Sequence, residues 1–232
     1  MQTFVDAIQF LFDNLSLIWD KTVEHLQLSG ASVGVAMAIA IPLGVWLGHL
    51  HRGSFLAINV SNVGRALPSL AVISIGLGLL GVGFLNVMVA LVILAAPVML
   101  TNAYVAVNQV DPDAVRAARG MGMTPLQILM RVELPLALPL MFAGIRTAAV
   151  YVVATAPLAA LAGGGGLGDI IVNEATYGTG GVIAGSLAIA VLAFAIDGIL
   201  ALVQRGVTPL PLRVAGRRSP RRRFAITAEA SE

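Results

Sequence analysis

Arg146 and Asp197 are the ionisable side chains set deepest inside stretches that are otherwise hydrocarbon. A charge in such surroundings must pair, bind an ion or face water, so chemistry is expected there first. Counting inward from Pro135 and from Arg205 at roughly 1.5 Å per residue puts the two at a similar depth, and they are expected to pair or to share a water-lined cavity. Other candidates carry less. "GGGGLG", residues 163–168, matches a dinucleotide-binding pattern letter by letter, but it follows an apolar span instead of a strand opening a βαβ unit. No phosphate-cradling G-x-x-x-x-G-K-[ST] occurs, Cys is absent, and no Ser, His and Asp converge on a nucleophile elbow. His49 and His51 stand at a membrane edge with no carboxylate nearby in sequence, and His25 stands apart, so all three read as interfacial side chains. The chain is expected to catalyse nothing and to bind no metal or cofactor itself.

The elements that must position these charges are membrane helices. Hydrophobic residues make up 58% of the chain and charged residues 11%, with a mean hydropathy of +0.90, which suits a bilayer and gives no sign of a nucleic-acid partner. Five apolar stretches, about 28–48, 66–83, 84–107, 136–162 and 182–203, predict an all-α polytopic membrane protein with about five transmembrane helices. Residues 1–25 set Phe4, Ile8, Leu11, Phe12, Leu15 and Ile18 against Asp6, Asp13 and Asp20, the pattern of an interfacial helix with no basic run before it to suggest a cleaved signal. Residues 26–205 form the transmembrane domain, and the basic tail 206–232 is expected to be disordered. Gly30 with Gly34 and Gly44 with Gly48 are two GxxxG pairs expected on nearly one face, and Pro42 and Pro97 fall inside spans, where kinks are tolerated.

Arginines mark one side of the membrane. Arg52, Arg65, Arg116, Arg119, Arg131, Arg146, Arg205, Arg213, Arg217, Arg218 and Arg221 to Arg223 fall there, against Lys21 alone on the other side. The bias predicts an N-terminus outside, with the 108–135 loop and the tail cytoplasmic.

That loop is the most heavily punctuated part of the chain. "VDPDAVRAARGMG" begins with Asp111 as cap, Pro112 in the first turn and Asp113 behind it, and stops at Gly120 and Gly122. "MTPLQILMRVELP" repeats the device with Thr124, Pro125 and Gln127, and Pro135 is expected to end it. Two short helices around a glycine turn make a knob, and Ala117 and Ala118 keep its crest low enough for another protein to approach. A bulky residue at 122 should either clash or deny a positive φ.

Ala117, Ala118, Gly122, then nine residues to Val132, Leu134 and Pro135 resemble the E-A-A, three residues, G, nine residues, I-x-L-P loop of permease subunits in binding-protein-dependent ABC importers. "HLQLSGASVGVAMAIAIPLGVWLG", "RALPSLAVISIGLGLLGVG" and "GGGGLGDIIVNEA" are similar to the subgroup that imports osmoprotectants such as glycine betaine, choline, carnitine or proline. The resemblance implies a type I importer permease in a prokaryotic plasma membrane. It also implies a second permease chain, identical or paralogous, an external or periplasmic solute-binding protein, and a cytoplasmic ABC ATPase dimer that uses the ATP. Asp113, Arg116, Ala117, Ala118, Gly122, Val132, Leu134 and Pro135 would couple to that ATPase, although Arg116 stands where the family has Glu. Outside, the four glycines predict an extended turn and "LGDIIVNEA" a short helix capped by Asp169 or a residue before it, with Asp169 or Glu174 facing the binding protein. Scattered Trp46, Phe84, Phe142, Tyr151 and Phe194 read as core or interface, leaving any aromatic cage to the binding protein. Other readings are a permease for another small solute such as an amino acid, or an ion-coupled secondary transporter built on Arg146 and Asp197.

Overall fold

A computed structural model describes residues 2–51, 55, 59, 62, 64 and 66–208. Arg52, Arg65 and the tail beyond 208 lie outside the described residues, as does the expectation of a disordered tail. Among the described residues there is no strand. Helix α1 spans Gln2–Asp13 and α2 spans Leu15–His49. An apolar helix α3, Ser69–Leu80, precedes α4, Phe84–Asn108. The loop contributes α5, Pro112–Gly120, and α6, Pro125–Ile128; a π-helical turn, Leu129–Glu133, leads into α7, Leu134–Thr155. A 3₁₀ segment, Ala156–Ala162, the short α8, Gly168–Val172, and the long α9, Glu174–Val207, complete the chain.

Among the described residues, four helical runs are long and apolar enough to cross a membrane: Leu15–His49, Phe84–Asn108, Pro125–Ala162 and Glu174–Val207. The second expected span, 66–83, is shorter than its hydropathy suggests, since the 12 residues of α3 reach only about 18 Å against a hydrocarbon core of roughly 30 Å. The N-terminal boundary also moves. The helix breaks at Asn14, whose Nδ2 donates to Phe10 O at 3.1 Å, and residues 15–25 belong to the first spanning helix. At 35 residues, or about 52 Å, α2 overshoots the hydrocarbon, which lets Asp20, Lys21 and Glu24 stand beyond it. The stripe of α1 is divided: Ala7 is buried and the Phe10 ring meets the Tyr177 ring edge-on at 6.1 Å on α9, while Phe4, Val5, Ile8 and Phe12 stay exposed.

Helix α2 lies along α4, and the contact follows one row of small residues, Ser32, Ala36, Ala40, Gly44 and Gly48, spaced by four. A Cβ on Gly44 would sit 2.6 Å from Leu100 O, and one on Gly48 2.8 Å from Tyr104 O. Gly30 and Gly34 have nothing within 4 Å, so the expectation that both GxxxG pairs share this packing face is corrected. An i,i+4 row winds around the helix at about −26° to its axis, so it leaves the straight face on which all four glycines would align. Pro135 does not end the loop helix either. The Leu134 N–H donates to Leu129 O, five residues back, and this wider turn carries the chain past the missing proline donor into α7.

Candidate functional site

The 111–135 segment has the geometry its caps dictate. The Asp113 backbone N–H donates to Asp111 Oδ1 at 2.9 Å, Thr124 and Gln127 form a reciprocal capping box, and Gly122 turns the chain at φ +82°. Nothing lies within 4 Å of a Cβ built on Gly122, so a side chain there meets strain and no clash. Ala118 is buried beneath α5, and the Met123 N–H bonds its carbonyl at 3.2 Å. Ala117 and Arg116 face out, and Arg116 pairs with Asp113 one turn earlier, a partner within the chain that the sequence reading left unassigned. Val132, Leu134 and Pro135 are half-buried on the π turn and the start of α7, with Leu134 packed against Val110, Ala137 and their neighbours. The outer surface of this knob is more apolar than its sequence suggested: Met121 is 75% exposed, and Leu126 and Met130 are exposed beside it.

Beneath the knob lies a contact the sequence did not reveal. His49 Nδ1 and Glu133 Oε2 are 2.6 Å apart, with Glu133 only 2% exposed. The expectation that His49 has no carboxylate near it is therefore corrected: the π turn brings one from 84 residues away. A cavity of about 330 Å³ opens between this pair and Val115, Arg119, Met123 and Ile128. His25 is likewise no interfacial side chain. It is buried, its Nε2 lies 3.0 Å from Val153 O, and its backbone lies against Gly166.

At mid-depth the structure brings Arg146 of α7 and Asp197 of α9 together. Arg146 donates from Nε and from a terminal nitrogen to the two carboxylate oxygens, each at 2.5 Å. The side chains are 35% and 34% exposed and line a cavity of about 440 Å³ with Ala143, Thr147, Val150 and Gln204. Of the scattered aromatics, Trp46, Phe84, Tyr151 and Phe194 are exposed in this chain, so of the core-or-interface expectation it is the interface that suits those four.

At the opposite end from the loop, Lys21 Nζ donates to Asp169 Oδ2 at 2.7 Å and to Glu24 Oε2 at 2.8 Å. The Gly166 N–H donates to the same Glu24 oxygen at 3.0 Å. Asp169 does not cap α8, whose first turn it occupies; it ties α8 to α2. Glu174 stands exposed at the start of α9 and accepts from the Thr179 hydroxyl at 2.9 Å. Among the described residues, no three His, Asp or Glu side chains are grouped to hold a metal ion.

A family described as "Binding-protein-dependent transport system inner membrane component" matches residues 40–209. The choline transport system permease protein OpuBB of Bacillus subtilis is 38% identical over 203 residues, which is 87% of this chain and 94% of the relative. The osmoprotectant import permease protein OsmW of Salmonella typhimurium is 34% identical over 222 residues, 90% of this chain and 100% of the relative. Among solved structures, an inward-facing MetNI methionine ABC transporter chain superposes with a TM-score of 0.73 at 23% identity, covering 84% of this chain and 98% of that one, a likeness of fold.

Proposed function

The chain belongs to the binding-protein-dependent transport system inner membrane components, and from that premise we propose that it carries a small osmoprotectant such as glycine betaine, choline, carnitine or proline inward. It is a multi-pass permease subunit of an ABC importer. We propose further that two such chains, identical or paralogous, enclose the pathway, that an external or periplasmic binding protein delivers the solute, and that an ABC ATPase dimer seats on the 111–135 knob. The knob is the observation that carries this reading: a rigid, doubly capped element with Met121, Leu126 and Met130 exposed is suited to a partner groove. Asp113, Arg116, Ala117, Ala118, Gly122, Val132, Leu134 and Pro135 would then transmit the closure of the ATPases. No cofactor is assigned to this chain, and the ATP is used by the partner. The arginine bias supports an N-terminus outside and a cytoplasmic C-terminus in a prokaryotic plasma membrane. Glu174 is the better candidate for meeting the binding protein, because Asp169 is already engaged by Lys21.

The test is uptake into vesicles holding the reconstituted complex and its cognate binding protein, with betaine, choline, carnitine, proline and methionine offered in turn. Uptake that stops on ATP depletion and survives an uncoupler is expected. Uptake that follows an ion gradient instead would make the chain a secondary transporter.

A further inference from the structure

The Arg146–Asp197 pair is placed where a structural ion pair gains least. Arg146 stands about 18 Å along α7 from Leu134, and Asp197 about 15 Å back along α9 from Val207, so the two lie at a similar depth from the side of the 111–135 loop. A pair that served only to hold two helices together would be expected to close itself off from its surroundings. This one is a third exposed and opens on a cavity whose lining adds the Thr147 hydroxyl and the Gln204 amide to the two charges. Arg146, Asp197, Thr147 and Gln204 give this space of about 440 Å³ a polar side able to hold water or a polar ligand, while Ala143 and Val150 supply an apolar side.

Aromatic side chains flank the pair on the side away from the 111–135 loop. Phe194 stands three residues before Asp197 on α9 and is 80% exposed, and Tyr151 stands four residues after Thr147 on α7 and is also exposed. Residues three or four apart share a helix face, which sets Phe194 one turn from Asp197 and Tyr151 one turn from Thr147, beyond the side chains that line the niche itself. An aromatic face and a carboxylate together are what a quaternary or substituted ammonium group seeks.

Charge order then selects the ligand. A lone cation drawn to Asp197 would take the carboxylate from Arg146, and a lone anion drawn to Arg146 would take the guanidinium from Asp197. A zwitterion with its two charges a few bonds apart can enter between them and leave every charge with an opposite neighbour. We infer that Arg146 and Asp197 form a relay site in the translocation pathway for a small zwitterion, whose carboxylate takes the guanidinium while its ammonium takes Asp197 beside Phe194. This rests on the osmoprotectant reading proposed above.

The experiment uses the whole reconstituted complex with saturating binding protein, and follows labelled glycine betaine and labelled choline. Wild-type complex with no ATP-dependent uptake of either solute counts against the osmoprotectant reading itself, before any variant is made. The neutral pair Arg146→Gln with Asp197→Asn keeps the shape and a hydrogen bond between the helices. It is expected to insert as wild type does, while kcat for betaine uptake falls at least tenfold and the half-saturating concentration of loaded binding protein stays put. Arg146→Gln alone, which frees Asp197 for a cation, is expected to move the betaine-to-choline uptake ratio at least tenfold toward choline. Neutral-pair uptake equal to wild type would overturn the relay. So would a loss of both solutes in proportion to a loss of inserted complex, which is the signature of a purely structural pair.

Discussion

Gly122 tests whether the reversal after α5 is a matter of backbone conformation or of space. Its φ is +82°, and a Cβ there would meet nothing within 4 Å, so substitution strains the backbone without striking a neighbour. For an alanine the left-handed region costs about 1–2 kcal/mol, less for asparagine, whose short amide tolerates it, and more for a β-branched valine. A cost of that size lowers the population of the turned loop by a factor of roughly 5 to 30. Gly122→Asn, Gly122→Ala and Gly122→Val should therefore reduce coupling in that order, with normal membrane insertion throughout. ATP-driven solute uptake and the stimulation of ATPase activity by loaded binding protein are the readouts, measured on complexes normalised for the amount of this chain. If Asn lost as much coupling as Val, side-chain bulk and not φ would be the cause. If Val coupled like wild type, the turn would have no part in docking.

Packing and ion pairs give three further expectations. Gly44→Ala places a methyl 2.6 Å from Leu100 O and should cost about 1–3 kcal/mol, seen as an earlier thermal transition in detergent, whereas Gly30→Ala leaves the packing within the chain unchanged; equal effects would refute the i,i+4 row as the contact. His49→Ala leaves Glu133 buried without its hydrogen-bond partner at a cost of about 1–3 kcal/mol, while Glu133→Gln keeps a hydrogen bond to the imidazole and should melt closer to wild type; an unshifted His49→Ala melt would show that the contact holds nothing. A cysteine at position 174, unique in a chain that has none of its own, should crosslink to the binding protein from outside intact cells, and labelling only from the cytoplasmic side would reverse the proposed orientation.

What could be read from the sequence was governed by how far each contact reaches along the chain. Asp111 bonds the backbone two residues on and Thr124 three residues on, so these caps follow from local residue types, as does the positive φ at Gly122. Depth counting could level Arg146 with Asp197 because helical rise is constant, although the residues are 51 apart. His49 and Glu133 escaped because their meeting depends on a π turn, and one residue more or less in that turn rotates Glu133 by about 100° around the helix. The glycine pairs misled for a related reason: periodicity locates a face on an isolated helix, whereas the crossing angle of α4 decides which row of that face is used.

The long-range ion pairs also determine what must move together. Lys21 with Asp169 ties the outer end of α2 to α8, and His49 with Glu133 ties its other end to the π turn of the continuous run Pro125–Ala162, so α2 is fastened at both ends. Because α2 also lies along α4 through residues too small to let the two slide apart without losing close contact, these elements should respond to a push on the 111–135 loop as one block. Helix α9 is fastened differently. Little of its most apolar stretch is buried, and its ion pair to Arg146 is a third exposed. A displacement of α7 relative to α9 is therefore felt at Arg146 and Asp197, and at Gln204, whose amide donates to Pro139 O at 2.9 Å. A solute that separates these two charges and a loop movement that shifts α7 against α9 would act on the same contact, which makes it the place where delivery of solute and the closure of the ATPases can be felt by one another.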